Sequence, residues 1–379
     1  MVLSAQTAGL GVIHGLGMRG IRSTVIYSDP REMGRKSRYV QAEHRFPEPI
    51  AHEEAFVSRL MADGVGYPGQ VLFPTSDATL AIASRNKNTL AEKYRVACPD
   101  WESVQIFLDK KNTCTLAEQA GVPAPKTLLP HSVEDVMRWG PALQFPCLAK
   151  PSQSHLFRAH FSRKMTRVEN MDELLRAYRE VEPTGVELMI QEYIPGGDSL
   201  GVNYNAFYWE GRPLYEFTGQ KIRSSPPDTG SPCVVQSAEI PEVLGLGRRL
   251  LGAAHYSGFA CTELKRDPRD GEYKLIEVNA RHNLSSMLAI RCGLNFPWLE
   301  YLHVTGEKMP EDAGYKLGIY WVDIARDFKA WAGRIGADGL TLSRFLEPYL
   351  RPHVYAIADW RDPLPAVIRM QDLAQSVFK

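Results

Sequence analysis

The chain has 379 residues, more than one hydrophobic core usually organises, so two or three domains are expected, each large enough to bury a core. Lysine plus arginine equals aspartate plus glutamate at 44 each, which leaves no global field to draw the protein to nucleic acid or an anionic membrane. Hydrophobic content of 44% with 23% charged residues excludes a disordered or fibrous chain.

The first stretch carries no acid or base, yet Gln6, Thr7, His14 and several glycines interrupt it, so it composes neither a signal peptide nor an anchor. No apolar run elsewhere is long enough to span a bilayer. Cys98, Cys114, Cys147, Cys233, Cys261 and Cys292 form no CxxC and sit mostly in apolar runs such as FPCLAK, which suggests reduced, buried thiols and a cytoplasmic protein.

A short strand over residues 2–4, a helix over 10–19 and the strands STVIYSD and VLFPTSD compose a small parallel α/β unit, residues 1–97. Two helices follow, PDWESVQIFL and KNTCTLAEQA. The second is capped by Asp109 and stopped by Gly121, with Pro123 beyond. Next come the strand FPCLAKP, a polar basic stretch, a helix over 171–181 and the strand VELMIQEYI, which ends in PGGD. Strands over 202–210, 214–223, 258–264 and 273–279, with a helix over 243–255, make this part α+β with a largely antiparallel sheet that closes near Gly306. Beyond it, a segment with Trp321, Trp331 and Trp360 reads as a small C-terminal appendage, residues 307–379.

The most informative segment is GFACTELKRDPRDGEYKLIEVNAR, two strands about a turn whose Pro and Gly suit a hairpin loop. Pairing about its centre sets Glu263 opposite Glu277. Alternation puts Glu277, Asn279 and Arg281 on one face, and Ile276, Val278 and Ala280 on the other. Two carboxylates roughly 5 Å apart repel by about 3 kcal/mol at an effective dielectric of 20, so they call for a cation or a shared proton. Two Glu and an Asn amide offer oxygen ligands only, a set suited to Mg²⁺.

Three further signals are weaker singly. Lys110 and Lys111 stand at a helix N-terminus, against the local dipole, which makes sense if an anion binds there. Lys150 ends the apolar strand FPCLAK and holds an ammonium at the rim of a sheet. In QEYIPGGDS a strand leaves its sheet through Pro195 and two glycines, freeing backbone groups for an adenine edge beside Glu192, with Asp198 placed for a ribose.

In their order, DK followed by GVPAPKT, then FPCLAKP, QEYIPGGDS, TELK and IEVNAR, these motifs resemble the ATP-grasp superfamily across residues 98–306. Within it the chain looks like the ATP-dependent carboxylate-amine ligases. The resemblance implies a pre-ATP-grasp α/β domain over 1–97, then an ATP-grasp domain of two subdomains, about 98–190 and 191–306, with the nucleotide between them. It implies that Lys110 and Lys150 hold ATP phosphates, that Glu192, Tyr193 and Ile194 form the adenine hinge mainly through backbone, and that Asp198 binds ribose. Glu263, Glu277 and Asn279 match the Mg²⁺ ligands, and Arg281 matches the arginine that contacts the transferred phosphate or acyl-phosphate.

The implied chemistry is attack of a substrate carboxylate on the γ-phosphate, giving an acyl-phosphate that an amine displaces. Lys221 and Arg223 are candidates for gripping an anionic substrate, and Ser76 and Asp77 of FPTSD for lining the cleft. FTGQKIRSSPPDTGSP and SQSHLFRAHFSRKM are expected to be mobile loops that close over the substrates. The second departs from the family in lacking glycines, so Arg158, Arg163 or Lys164 would replace backbone amides over the phosphates. Small-molecule carboxylate and amine substrates are the expected partners, with no nucleic acid, no membrane, and a homodimer as a candidate assembly.

Three other readings compete. GLGVIH followed by Asp29 imitates a dinucleotide fingerprint, but His14 stands at the third glycine position and the preceding strand is very short. A non-catalytic nucleotide-binding module and a bicarbonate-activating, carboxylase-like enzyme keep the same fold.

Overall fold

The computed structural model describes residues 1–62, 64–152, 161, 165–228, 230–332 and 340–377. Strands β1 (Val2–Leu3), β2 (Ser23–Tyr27), β3 (Val40–Arg45), β4 (Gln70–Pro74) and β5 (Tyr94–Val96) form an all-parallel sheet in the order β3-β2-β1-β4-β5. The order reverses between β1 and β4, so a crevice opens at the carboxyl ends of those strands, where Thr75, Ser76 and Asp77 leave β4. The first helix, Thr7–Gly17, starts earlier than its pattern suggests and packs tightly against the turn before it. A Cβ on Gly9 would lie 2.1 Å from the Ser4 carbonyl oxygen, and one on Gly11 3.1 Å from Ser286. Close packing thus accounts for the glycines of the apparent dinucleotide motif.

The second sheet is antiparallel: β6 (Thr127–Leu128), β7 (Cys147–Pro151), β8 (Thr166–Val168) and β9 (Leu188–Glu192), in the order β6-β9-β7-β8. Its apolar face packs under the helix Met171–Val181 through Ala149, Leu174, Tyr178 and Ile190.

The third sheet has seven strands, β10 (Gly201–Trp209), β11 (Arg212–Ser225), β12 (Ser231–Ser237), β13 (Gly258–Arg266), β14 (Tyr273–Asn279), β15 (Tyr320–Val322) and β16 (His353–Tyr355), in the order β14-β13-β10-β11-β12-β15-β16. On one face Val202, Tyr204, Leu264 and Val278 pack against the helix Pro241–Ala253. On the other, Phe207, Phe217 and Phe259 pack with Leu288 and Phe296.

Two expectations need correction. The segment after Gly306 is more than an appendage, because β15 pairs with β12 and β16 with β15, completing the largest sheet. It is tied to the first unit as well: Asp362 accepts bonds from His14 Nε2 at 2.9 Å, the Arg38 N–H at 2.9 Å and the Ser37 hydroxyl. Those partners were invisible in sequence because they lie hundreds of residues apart. The stretch FTGQKIRSSPPDTGSP is mostly strand, since β11 runs to Ser225 and β12 begins at Ser231. Most of SQSHLFRAHFSRKM lies outside the described residues, including Arg158, Arg163 and Lys164.

All six cysteines are free, and five are buried. Among the described residues no helix is long and apolar enough to cross a membrane.

Candidate active site

The hairpin of β13 and β14 places its acids as their spacing suggests: Glu263 pairs with Glu277, and Cys261 with Asn279. One residue departs from simple alternation. Glu263 faces Glu277 but Leu264 faces Leu275, so Ile276 is an extra residue in β14. Leu275 therefore joins Val278 and Ala280 in the core, and Ile276 lines the cleft instead of packing beside Val278.

That cleft brings together residues from distant parts of the chain, Asp77, Lys110, Lys150, Gln191, Glu277 and Asn279 among its lining. Lys110 opens the helix Lys110–Gln119, capped by the Asp109 carboxylate, which accepts from the Lys111 N–H at 2.9 Å. Lys150 is only 6% exposed, and its ammonium donates to Gln191 Oε1 at 2.7 Å. Burial, and then the neighbouring Lys110, lower its pKa to about 8. Gln191 is fixed from its other end, where Nε2 donates to the Thr127 hydroxyl at 2.9 Å.

A polar chain crosses the mouth of the cleft from the first sheet to the third. Arg281 donates to Asp77 through Nε at 2.6 Å and Nη2 at 3.2 Å, and Nη2 also reaches Asn279 Oδ1 at 3.0 Å. Asn279 Nδ2 lies 3.4 Å from Glu263 Oε1, and the other Glu263 oxygen accepts from the Lys221 ammonium. Against the desolvation that burial imposes, the Glu263 carboxylate raises the Lys221 pKa above its ordinary value.

The donor set suits a hard divalent cation. Glu263 and Glu277 face each other, and Asn279 Oδ1 has a second lone pair beside the one directed at Arg281. Asn203, directly across from Glu263 on β10, is 2% exposed, and its Oδ1 has no hydrogen-bond partner among the described residues. An orphaned amide oxygen in that row is what a cation or a donor would satisfy.

The residues of QEYIPGGDS are placed in detail. The Glu192 carboxylate turns from the cleft and accepts from the Gln144 N–H at 2.9 Å, while Gln191, one residue earlier, faces in. The Tyr193 N–H donates to the Pro146 carbonyl at 3.0 Å, and the Ile194 carbonyl accepts from Lys265 Nζ at 2.9 Å. Asp198 is buried, and its two oxygens accept the N–H groups of Ser224 and Asp228, each at 2.9 Å.

Arg223 does not join the cleft. Lys221 pairs with Val235 and Arg223 with Val234, so Ile222 is an extra residue that turns the two bases to opposite faces. Arg223 is instead buried against Asp327. Gln191 and Ile276 are cleft residues that the motifs did not single out. Gln191 could have been found by alternation, since it shares the cleft-facing side of β9 with Met189 while Leu188 and Ile190 enter the core. No sequence signal marks the bulge that exposes Ile276.

No family model matches the chain. It is 27% identical over 242 residues to the D-aspartate ligase of Enterococcus faecium, covering 59% of this chain and 56% of that protein. To the D-alanine-D-alanine ligase of Methylococcus capsulatus it is 28% identical over 207 residues, covering 50% and 63%. The chain thus spans less than two thirds of the length of these curated relatives. Among solved structures, it superposes on the L-amino acid ligase of Bacillus licheniformis with a TM-score of 0.63 at 19% identity, covering 81% of this chain and 74% of that one. The biotin carboxylase of Campylobacter jejuni gives a TM-score of 0.66 at 15% identity, covering 84% and 74%. The fold is the ATP-grasp fold. Within it, the chain resembles the carboxylate-amine ligases over about half its length.

Proposed function

We propose that this chain is an ATP- and Mg²⁺-dependent ligase. It activates the carboxylate of an amino acid or similar small acid as an acyl-phosphate and joins it to an amine, forming an amide or peptide-like bond. The observation that carries this reading is the convergence on one cleft of Lys110, Lys150, Glu277 and Asn279, with Asp77 at its edge. Its relatives by sequence, a D-aspartate ligase and D-alanine-D-alanine ligases, favour amino acids as substrates.

Each residue has a role in this reading. Lys110 and Lys150 bind phosphate oxygens, and a phosphate beside Lys150 favours the charged ammonium that burial disfavours. Glu263, Glu277 and Asn279 hold the magnesium, which when bound offsets phosphate charge in the transition state. Lys221 then exchanges the Glu263 carboxylate for an anionic substrate group. Arg281, held in place by Asp77 and Asn279, faces the phosphoryl or acyl-phosphate group. Tyr193 and Ile194 are the adenine hinge in this reading, acting through backbone, and Ile276 in the cleft packs against the base. Asp198, set in place by the N–H groups of Ser224 and Asp228, is the acid that meets the ribose.

The test is a phosphate-release screen with Mg·ATP over pairs of amino acids, other small acids and amines. Release that requires both an acid and an amine is the expected result. Release driven by bicarbonate with no organic acid would overturn the ligase reading in favour of a carboxylase-like one.

A further inference from the structure

One buried ion pair joins the segment beyond Gly306 to β11. Arg223 on β11 is 3% exposed, and Asp327 on the helix Ile324–Ala332 is fully buried. Two parallel bonds join them, Nε to Oδ1 at 2.7 Å and Nη2 to Oδ2 at 2.9 Å. The guanidinium also donates to the carbonyl oxygens of Arg344 and Phe345, each at 3.1 Å, on the helix Leu342–Leu350. Asp327 in turn accepts from the Tyr349 hydroxyl at 2.8 Å. Two C-terminal helices therefore close on one side chain of the largest sheet.

A pair this deeply buried is a poor source of stability, because apolar residues of similar volume usually serve as well. Its position suggests another use. Arg223 lies between Lys221, which is bonded to Glu263, and Ser224, whose N–H donates to Asp198. Asp228 donates to the second Asp198 oxygen, and the Gln220 amide donates to the Gly201 carbonyl at 3.0 Å. The ladder is irregular at this point, with Ile222 an extra residue in β11 and Cys233 an extra residue in β12. Bulges leave the extra residue unpaired and bend the strand, so the backbone alone does not fix the stretch. The bonds of the guanidinium supply the missing constraint.

We infer that Arg223 and Asp327 are positioning residues, through which the C-terminal helices set Lys221 and the contact of Ser224 with Asp198. The inference rests on the ligase reading, in which those two groups meet substrate and nucleotide. It gives the segment after Gly306 a part in the reaction although none of its described residues lines the cleft.

The test compares the double variant R223M/D327L with the unaltered chain. Removing both charges together leaves no unpaired ion in the core, so the melting temperature should shift by no more than about 4 °C. The kcat/KM for acid- and amine-dependent phosphate release should nevertheless fall about 100-fold, with KM for ATP raised and kcat lowered together. The Kd for Mg·ADP, measured by titration without turnover, should rise in parallel. A folded double variant with unchanged kinetics and ADP affinity would overturn the inference and leave the pair a structural tie.

If the double variant does not fold, Tyr349→Phe takes its place, since it removes a single bond to Asp327. A raised KM for ATP at unchanged melting temperature supports positioning, and an unchanged KM overturns it. The ADP titration also separates the two claims. A chain that binds ADP but activates no acid counts against the ligase reading, while the effect of the variants on ADP affinity still decides the inference.

Discussion

On β13 and β14 the extra residue, Ile276, falls outside the pairing of Glu263 with Glu277, and the acids stay opposite one another. On β11 and β12 the extra residue, Ile222, falls between Lys221 and Arg223, and the two bases part to opposite faces. Both strand pairs contain a bulge, and only its place relative to the charged residues differs. The contrast shows that alternation places side chains only as far as the next bulge.

The acids of the first pair are the sharper target. Glu277→Gln keeps the shape of the hairpin but removes one anionic oxygen ligand, and ADP formation in a coupled assay should fall at least about 1,000-fold with the melting temperature preserved. Near-normal turnover would break the metal assignment, and with it the functional half of the comparison.

The bases of the second pair should separate when changed singly. Lys221→Met removes the base bonded to Glu263 and should lower kcat about 100-fold, and because Glu263 keeps part of its exposure to solvent the variant should lose less stability than the next one. Arg223→Met strands the Asp327 carboxylate in the core and should cost about 4 kcal/mol of stability, read by denaturant titration. If the two variants lost stability equally, the opposite placement of these side chains would be wrong.

A smaller effect concerns Lys150, on the sheet across the cleft. The unfolded chain keeps this proton up to the ordinary value of 10.5, whereas the folded chain releases it at about 8. Between those values the unfolded state binds more protons, so this group makes the protein more stable as pH rises through that window. Nucleotide binding runs the other way. KM for ATP should climb above about pH 8 as the ammonium is lost, and Lys150→Arg, which stays charged, should flatten the rise. An identical profile in the variant would remove Lys150 from the phosphate site.

Much of the cleft was legible because its residues sit on regular elements with local signals. Asp109 caps the helix that carries Lys110, and the turn in DPRDG centres the hairpin so that Glu263 meets Glu277. The parallel first sheet and the largely antiparallel third follow from the spacing of apolar runs and turns. Other placements had no local cause. Glu192 turns outward because Gln144, in a preceding loop, offers it a backbone N–H, and Gln191 turns inward to Lys150. The supposed substrate loop is strand because β12 and the C-terminal helices hold it.

The sequence by itself marked many of the strands and helices before Gly306, which residues could ligate a cation, and the order of motifs on which the resemblance to the ATP-grasp superfamily rests. Periodicity, capping and turn chemistry act over a few residues, so they leave their mark on short stretches of chain. Only the tertiary structure decided that Asp77 orients Arg281, that Arg223 belongs to the C-terminal helices, and that β15 and β16 complete the sheet. Those outcomes depend on bulges and on charges paired across 100 residues or more. For Arg223 the partner is enforced by burial, which makes an unpaired ion costly wherever the chain happens to fold over it.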